Sequence, residues 1–414
     1  MIAMPQAAVA HQAGTKGYRR MTAALYGAGL AGFAAMYCTQ ALLPALSASY
    51  RITPATAALT VSLTTGVLAL SIIPASVLSE RYGRTTVMLA SGIASSIIGM
   101  LLPLSPTLGV LLAGRALHGV ALAGIPAVAM AFLAEEVHAS SLGSAMGRYV
   151  AGTTVGGLAG RIVPSLVVDV SNWRVALLAC SVTTLAGTAV FALLVPRSQF
   201  FTPKAASVRT TMHNLVAHVR NPVLLKLFAL GSVLMGGFVT VYNYLGYRLT
   251  EQPFGLAPSV VGLLFVLYLV GTWTSVVAGR LADRRGRWFV LGAALPITVT
   301  GLLLTVPHAL AVIVIGVGVF TGGFFAAHTV ASGWVGAVAH RDRAEASALY
   351  LFSYYLGGSV AGALGGLVYG VGGWRATAWF VGGLLVAGSL LVALLVRENG
   401  SRAKSFAGSM ATAR

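Results

Sequence analysis

The side chains able to do chemistry in this chain are few, and most are basic. Its 414 residues hold 27 Lys and Arg against nine acids, Glu80, Glu135, Glu136, Asp169, Glu251, Asp283, Asp342, Glu345 and Glu398, and each acid falls in a loop or at the end of a long apolar stretch. Four basic groups fall inside such stretches: Arg115, His118, Arg161 and His328. An ionisable group held away from water is costly, so each is a candidate for function. Arg115 and Arg161 could form a positive ledge for an anionic or strongly polar solute; they could equally satisfy main-chain carbonyls and join helices. His118, one turn from Arg115, and His328 could carry a proton near neutral pH, although a lone histidine also serves as a hydrogen-bonded helix contact. Tyr37, Gln40, Tyr242, Asn243 and Tyr354 suit a cavity that holds an organic molecule by stacking and a few hydrogen bonds. Tyr354 and Tyr355 point about 100° apart on a helix, so at most one faces a cavity, and Tyr354 is taken as that one. Tyr244 and Tyr247 are expected in an aromatic belt at a membrane interface.

The elements that position these groups follow from composition. Hydrophobic residues make up 57% of the chain and charged residues 9%, with 50 glycines and a net charge of +18. A soluble domain carries roughly 25% charged residues, which excludes an ordinary globule, a disordered chain and a disulfide-stapled secreted one. A nucleic-acid partner is excluded as well, because the basic residues punctuate apolar runs and build no basic face. Cys38 and Cys180 lie in apolar runs and read as buried hydrophobes. Windows of about 20 apolar residues recur twelve times, at 21–47, 55–79, 85–104, 108–133, 144–168, 174–195, 223–247, 257–282, 287–306, 309–336, 344–369 and 374–396. The chain reads as an all-α membrane protein, and its first apolar stretch is too long for a cleaved leader.

With the N-terminus inside, 21 of the 27 basic residues fall on cytoplasmic segments; the other six are Arg51, Arg115, Arg161, Arg174, Arg248 and Arg375. That bias predicts an inner (plasma) membrane protein with both termini cytoplasmic. Residues 196–222 are the longest polar interruption, and Ser207 to Val219 could lie as a basic amphipathic helix on the inner leaflet. The linker divides the chain into 1–195, an N-terminal six-helix bundle, and 223–414, a C-terminal one. Either side of it Gly32-Phe33 and Tyr37 recur as Gly237-Phe238 and Tyr242, while Gly156-Gly157 and Trp173-Arg174 recur as Gly357-Gly358 and Trp374-Arg375. Two six-helix bundles related by a parallel repeat suit a secondary transporter that rocks about a midplane site.

The third recurrence is the sharpest. GRLADRRGR, from Gly279 to Arg287, follows the eighth stretch, and SVLSERYGR, from Ser76 to Arg84, follows the second. This pattern resembles the cytoplasmic Gly-x-x-x-Asp-Arg-x-Gly-Arg signature of the major facilitator superfamily; the first copy carries Ser76 for the glycine and Glu80 for the aspartate. The resemblance implies twelve transmembrane helices in two pseudo-symmetric bundles. It also implies a gate built from Glu80, Arg81, Gly83 and Arg84 in one half and Asp283, Arg284, Gly286 and Arg287 in the other, since a carboxylate beside arginines can pair across helix ends. Glu135 and Glu136 are expected to pair with Arg81, Arg84 or Arg148 in the same gate, so charge reversal at Glu135 should favour an inward-open state. GRALHGVALAG resembles the fourth-span arginine motif of the family. GTTVGGLAGR, Gly152 to Arg161, resembles its antiporter motif, with Gly157 at the proline and Arg161 at the last glycine; spaced glycines of this kind allow close helix packing. RAEASALYLFSYYLGGSVAG, with the Trp-Arg pairs, looks closest to the YnfM-like branch of efflux permeases.

Many proton antiporters of this superfamily place an acid in the first or fourth span, and this chain has none at membrane depth. The leading expectation is a proton-coupled exporter of a small organic molecule, a functional monomer working by alternating access in the bilayer with no ATP site, since no GxxxxGK[ST] loop exists, and with no cofactor or metal. An anion-selective importer or exchanger with a basic cavity is the alternative within the fold. A membrane-embedded enzyme would need clustered acids, a metal pair or a nucleophile with a base, and the sequence offers none.

Overall fold

In lipid every main-chain N–H and C=O must find an internal partner, so a chain this apolar resolves into helices. The computed structural model describes residues 10–201, 208–339 and 343–412. Lys204, Arg341, Asp342 and Arg414 lie outside the described residues, as do the side chains of Arg209, Glu398, Arg402 and Lys404. Among the described residues, eleven helical stretches are long and apolar enough to cross a bilayer. The last, Glu345–Arg397, runs for 53 residues. At 1.5 Å per residue that is about 80 Å, two crossings rather than one. Gly372 (φ −134°, ψ 15°) and Gly373 (φ 58°, ψ −150°) break it where the sequence divides the eleventh and twelfth spans. Twelve spans result. Their outer faces carry large apolar side chains, Trp379 being 82% exposed, as lipid requires.

Side-chain caps fix where many spans begin. Thr15 Oγ accepts from Tyr18 N, Thr107 from Val110 N, and Asn172 and Asn221 each accept from two first-turn N–H groups. Gly83 (φ 97°) and Gly286 (φ 89°) open the third and ninth spans in a left-handed conformation that favours glycine, so the repeated glycine is conformational in both copies. The linker contains a helix, Val208–Arg220.

The chain forms two compact units. The first comprises Met1–Ile52, Thr56–Val208 and Leu256–Phe265, so it includes the start of the eighth span; the second comprises Thr53–Ala55, Arg209–Gly255 and Val266–Arg414. Within the first, Gly152, Gly156 and Gly160 lie one turn apart on the fifth span. A Cβ at any of them would run into the main-chain oxygen of Tyr26, Leu30 or Ala34 on the first. The second repeats the device, with Gly357 against the Ser232 carbonyl. These close approaches are the packing that the glycine motif implies.

Some spans are broken. The first consists of a helix Lys16–Tyr37, a 3₁₀ turn Gln40–Leu42 and a helix Leu43–Tyr50 with Pro44 at its start. The break leaves the last carbonyls of Lys16–Tyr37 without helical partners at depth in the bundle.

Candidate solute and proton sites

Arg115 answers that break. Its side chain has no solvent exposure. Nη1 donates to Ala35 O (3.0 Å) and Cys38 Sγ (3.3 Å), Nη2 to Met36 O (2.7 Å), and Nε to Thr60 O on the second span (2.8 Å). Cys180 Sγ covers a further end carbonyl, Ala34 O, at 3.6 Å. The guanidinium therefore caps a helix C-terminus, where cations are favoured, and ties spans one, two and four together. Of the two roles left open by sequence, this geometry is the carbonyl-satisfying one. His118 Nδ1 lies 3.0 Å from Arg115 Nη1, and because arginine can only donate, Nδ1 is the acceptor. His118 is thus the inner wall of the clamp.

Arg161 is built differently. It is 3% exposed on the fifth span. Nε donates to Gln40 Oε1 at 2.6 Å and Nη1 to Gly157 O at 2.7 Å, and the guanidinium carbon stands 4.1 Å from the Tyr37 ring centre and 5.1 Å from that of Phe265. Tyr37 and Gln40 flank the break that Arg115 caps, so the two arginines are linked through one piece of main chain. The side chain is thus held by a neutral amide, a carbonyl of its own helix and two ring faces.

The second unit gathers aromatic groups. Phe238 lies 3.9 Å from Phe324, stacked, and 4.9 and 5.3 Å from Tyr242 and Tyr268 (ring centres). Tyr242 OH bonds Thr321 Oγ1 at 2.8 Å, and the seventh span places the buried Asn243 beside it. At the edge of the cluster stands His328, with Nδ1 2.9 Å from Tyr350 OH and its ring 4.6 Å from that of Tyr354. Tyr354 is half-buried and Tyr355 buried, as their angular separation requires. Tyr268, Phe324 and Tyr350 were not singled out by sequence, and Phe238 only as a member of the internal repeat. Tyr350 lies one turn before Tyr354, a spacing that could have found it; the phenylalanines carry no polar mark.

Three expectations change. Tyr244 and Tyr247 form no outward belt: both are buried, Tyr244 OH donates to Gly362 O at 2.6 Å, and Tyr369 stacks on the Tyr244 ring and lies tilted against that of Tyr247. Among the described residues, Glu136 pairs with no arginine. Its buried carboxylate accepts from Ser198 Oγ and from the N–H groups of Gln199 (2.9 Å) and Phe200 (3.1 Å), holding the start of the linker. Arg148 pairs with neither glutamate; it donates to Thr22 Oγ1 at 3.0 Å and lies over Tyr18. Adjacent glutamates point about 100° apart on a helix, which is why only one reaches the arginines.

That one is Glu135. Arg84 Nη2 meets its Oε1 at 2.9 Å and Nε at 3.2 Å, with Glu80 4.0 Å away and Ser79 Oγ beside Nη1. Arg81 is exposed over Tyr82. In the second copy Asp283, Arg284 and Arg287 are exposed, and among the described residues Asp283 forms no ion pair. Arg84→Gln and Glu135→Gln are expected to lower the unfolding temperature non-additively, with a coupling of about 1 kcal/mol in a double-mutant cycle. Additive losses would mean that the pair does not act as a unit.

Twelve spans, a two-fold internal repeat and the paired loop signatures define a multi-pass membrane transporter. The description Major Facilitator Superfamily matches residues 25–251 and 245–413, and the chain belongs to that family. It is 41% identical over 383 residues to the inner membrane transport protein YnfM of Escherichia coli (strain K12), covering 92% of this chain and 91% of that one. It is 38% identical over 385 residues to the MFS-type transporter YybF of Bacillus subtilis (strain 168), covering 93% and 95%. A crystal structure of a bacterial homologue of the human lysosomal transporter Spinster, in an inward-facing and occupied conformation, shares the fold with a TM-score of 0.74 at 14% identity over 93% of this chain and 98% of that one. These relatives are transporters, and the chain is a transporter rather than an enzyme.

Proposed function

We propose that the chain exports a small aromatic or polar organic molecule in exchange for protons, by alternating access, as a single copy in the inner membrane with both termini cytoplasmic. The observation that carries this reading is the aromatic cluster of the second unit, Phe238, Tyr242, Tyr268, Phe324 and Tyr354, with one titratable ring, His328, at its edge. Such faces hold a planar solute by stacking, and Asn243 adds a polar contact. Of the two buried histidines, His328 borders the aromatic cluster at Tyr350 and Tyr354, whereas His118 is held against Arg115 in the helix cap. His328 is therefore the proton carrier and His118 a positioning group. Arg161, Gln40 and Tyr37 supply the polar anchor of the first unit, Arg115 positions them, and the Glu80–Arg84–Glu135 cluster with its Asp283, Arg284 and Arg287 counterpart serves the gates.

Transport in proteoliposomes with and without an imposed pH gradient tests this reading. His328→Gln is expected to remove the acceleration by the gradient and to leave a slower, gradient-independent flux, because glutamine cannot carry the proton. Undiminished acceleration in that variant contradicts the assignment. A second reading, an anion-selective importer or exchanger, is favoured by Arg161, a buried guanidinium set among Gln40, Tyr37 and Phe265. Counterflow by an anion alone, indifferent to the pH gradient, would select it.

A further inference from the structure

An unclaimed groove lies on the lateral face of the second unit. A cavity of about 460 Å³ runs between spans eight, nine and ten, its walls including Val270, Thr274, Val277, Ile297, Gly318 and Gly322. It opens outward: Val270, Val277 and Ile297 are 38–48% exposed. Along the eighth span the groove extends from Val270 to Leu281, about 16 Å at 1.5 Å per residue. That is the depth of one leaflet, half of a hydrocarbon core of roughly 30 Å.

The end of the groove is chemically distinct. Leu281 and Val290 close the apolar part, and the residues next to them, Ala282 and Asp283 on one side and Gly286, Arg287 and Trp288 on the other, line a polar hollow of about 350 Å³ together with Trp334. Trp288 and Trp334 meet edge to face at 4.1 Å. Four arginines, Arg280, Arg284, Arg285 and Arg287, surround the single Asp283 in this stretch. Tryptophans beside arginines mark the level of lipid headgroups, and a basic excess attracts anionic ones.

We propose that this groove and hollow form one binding site for an anionic phospholipid, with an acyl chain laid along Val270–Leu281 and the phosphate held by Arg287 beside Trp288, while Arg285, over the Phe289 ring, adds positive charge next to the hollow. The match in length, the apolar walls and the charge of the rim select a lipid over a helix of another chain, which would be wider than a single acyl chain and would leave the arginines uncompensated. The site is separate from the solute and proton groups and depends on neither the direction nor the substrate of transport.

The test is native mass spectrometry of the full chain extracted from vesicles holding equal amounts of phosphatidylglycerol and phosphatidylcholine. One phosphatidylglycerol is expected to stay on each chain. Gly318→Leu places a side chain in the groove, where an added Cβ meets only Leu267 Cδ2 at 3.7 Å, and is expected to cut retention about tenfold, the loss of a buried chain segment of a few methylenes. Arg285→Gln, at an exposed side chain 5.3 Å from the Phe289 ring centre, is expected to do so by about fivefold, the weight of one interfacial charge. Equal retention of both lipids, undiminished retention in both variants, or a lipid-free dimer seated through this face would each overturn the proposal.

Discussion

Arg161→Ala is expected to slow transport about a hundredfold while leaving the folded protein in place. The side chain bonds one amide and one carbonyl of its own helix and lies against the Tyr37 and Phe265 rings, and truncation leaves the glycine-mediated approach of spans one and five in place. Gly157 O keeps its helical position, and Gln40 lies at a break where the main chain can adjust. A solute loses a charge-assisted hydrogen bond of about 1.5–3 kcal/mol, which is about ten- to a hundredfold in binding, and more where the contact tightens in the rate-limiting state. Arg161→Lys keeps the charge but loses the planar fork and the stacking over Tyr37, so it should restore only part of the rate. Transport by purified protein in proteoliposomes, beside thermal unfolding of the same preparations, separates the effects. An unchanged rate in the alanine variant removes Arg161 from the account.

Arg115→Ala should behave in the opposite manner, losing folded protein before any transport can be measured. It strips donors from Ala35 O, Met36 O and Thr60 O at once, inside a bundle where no water replaces them. Hydrogen bonds within membrane bundles contribute about 0.6–2 kcal/mol each, so the loss is about 2–6 kcal/mol. Lysine cannot rescue it, because an ammonium is a point donor and the carbonyls lie on two spans. The monodisperse fraction after extraction, and its unfolding temperature, should fall for both Arg115→Ala and Arg115→Lys by more than for Arg161→Ala. Equal stability of the Arg115 and Arg161 variants would show that the helix-capping role is wrong.

The contrast between these arginines marks how far the sequence could be read. Both occupy apolar stretches at similar depth, about 8 and 7 Å outward of the midpoints of their spans, and a one-dimensional pattern treats them alike. What separates them is the interruption of the first span at Tyr37–Gln40, which no glycine or proline marks within the interruption itself; Pro44 stands just beyond it. The spans were legible because about 20 apolar residues between basic punctuation have few other solutions, and the turn at Gly372–Gly373 falls where the last two were divided. Pairing of Glu135 with Arg84 was legible as charge at neighbouring helix ends. The different fate of Glu136 was not, since it depends on the folded path of Ser198–Phe200. The aromatic cluster around Phe238 was hidden in the same way, because phenylalanine in a membrane segment reads as lipid-facing until its neighbours are known.

Proton exchange against solute is the central claim, and the pH inside a vesicle reports it most directly. Proteoliposomes loaded with a pH-sensitive dye, with no imposed gradient, would be given an aromatic solute on the outside. Inward movement of the solute in exchange for protons must carry protons out, so the lumen should become more alkaline, at a rate lost in His328→Gln and Arg161→Ala. Solute entry with an acidifying lumen, or with no change in lumen pH, would contradict the account.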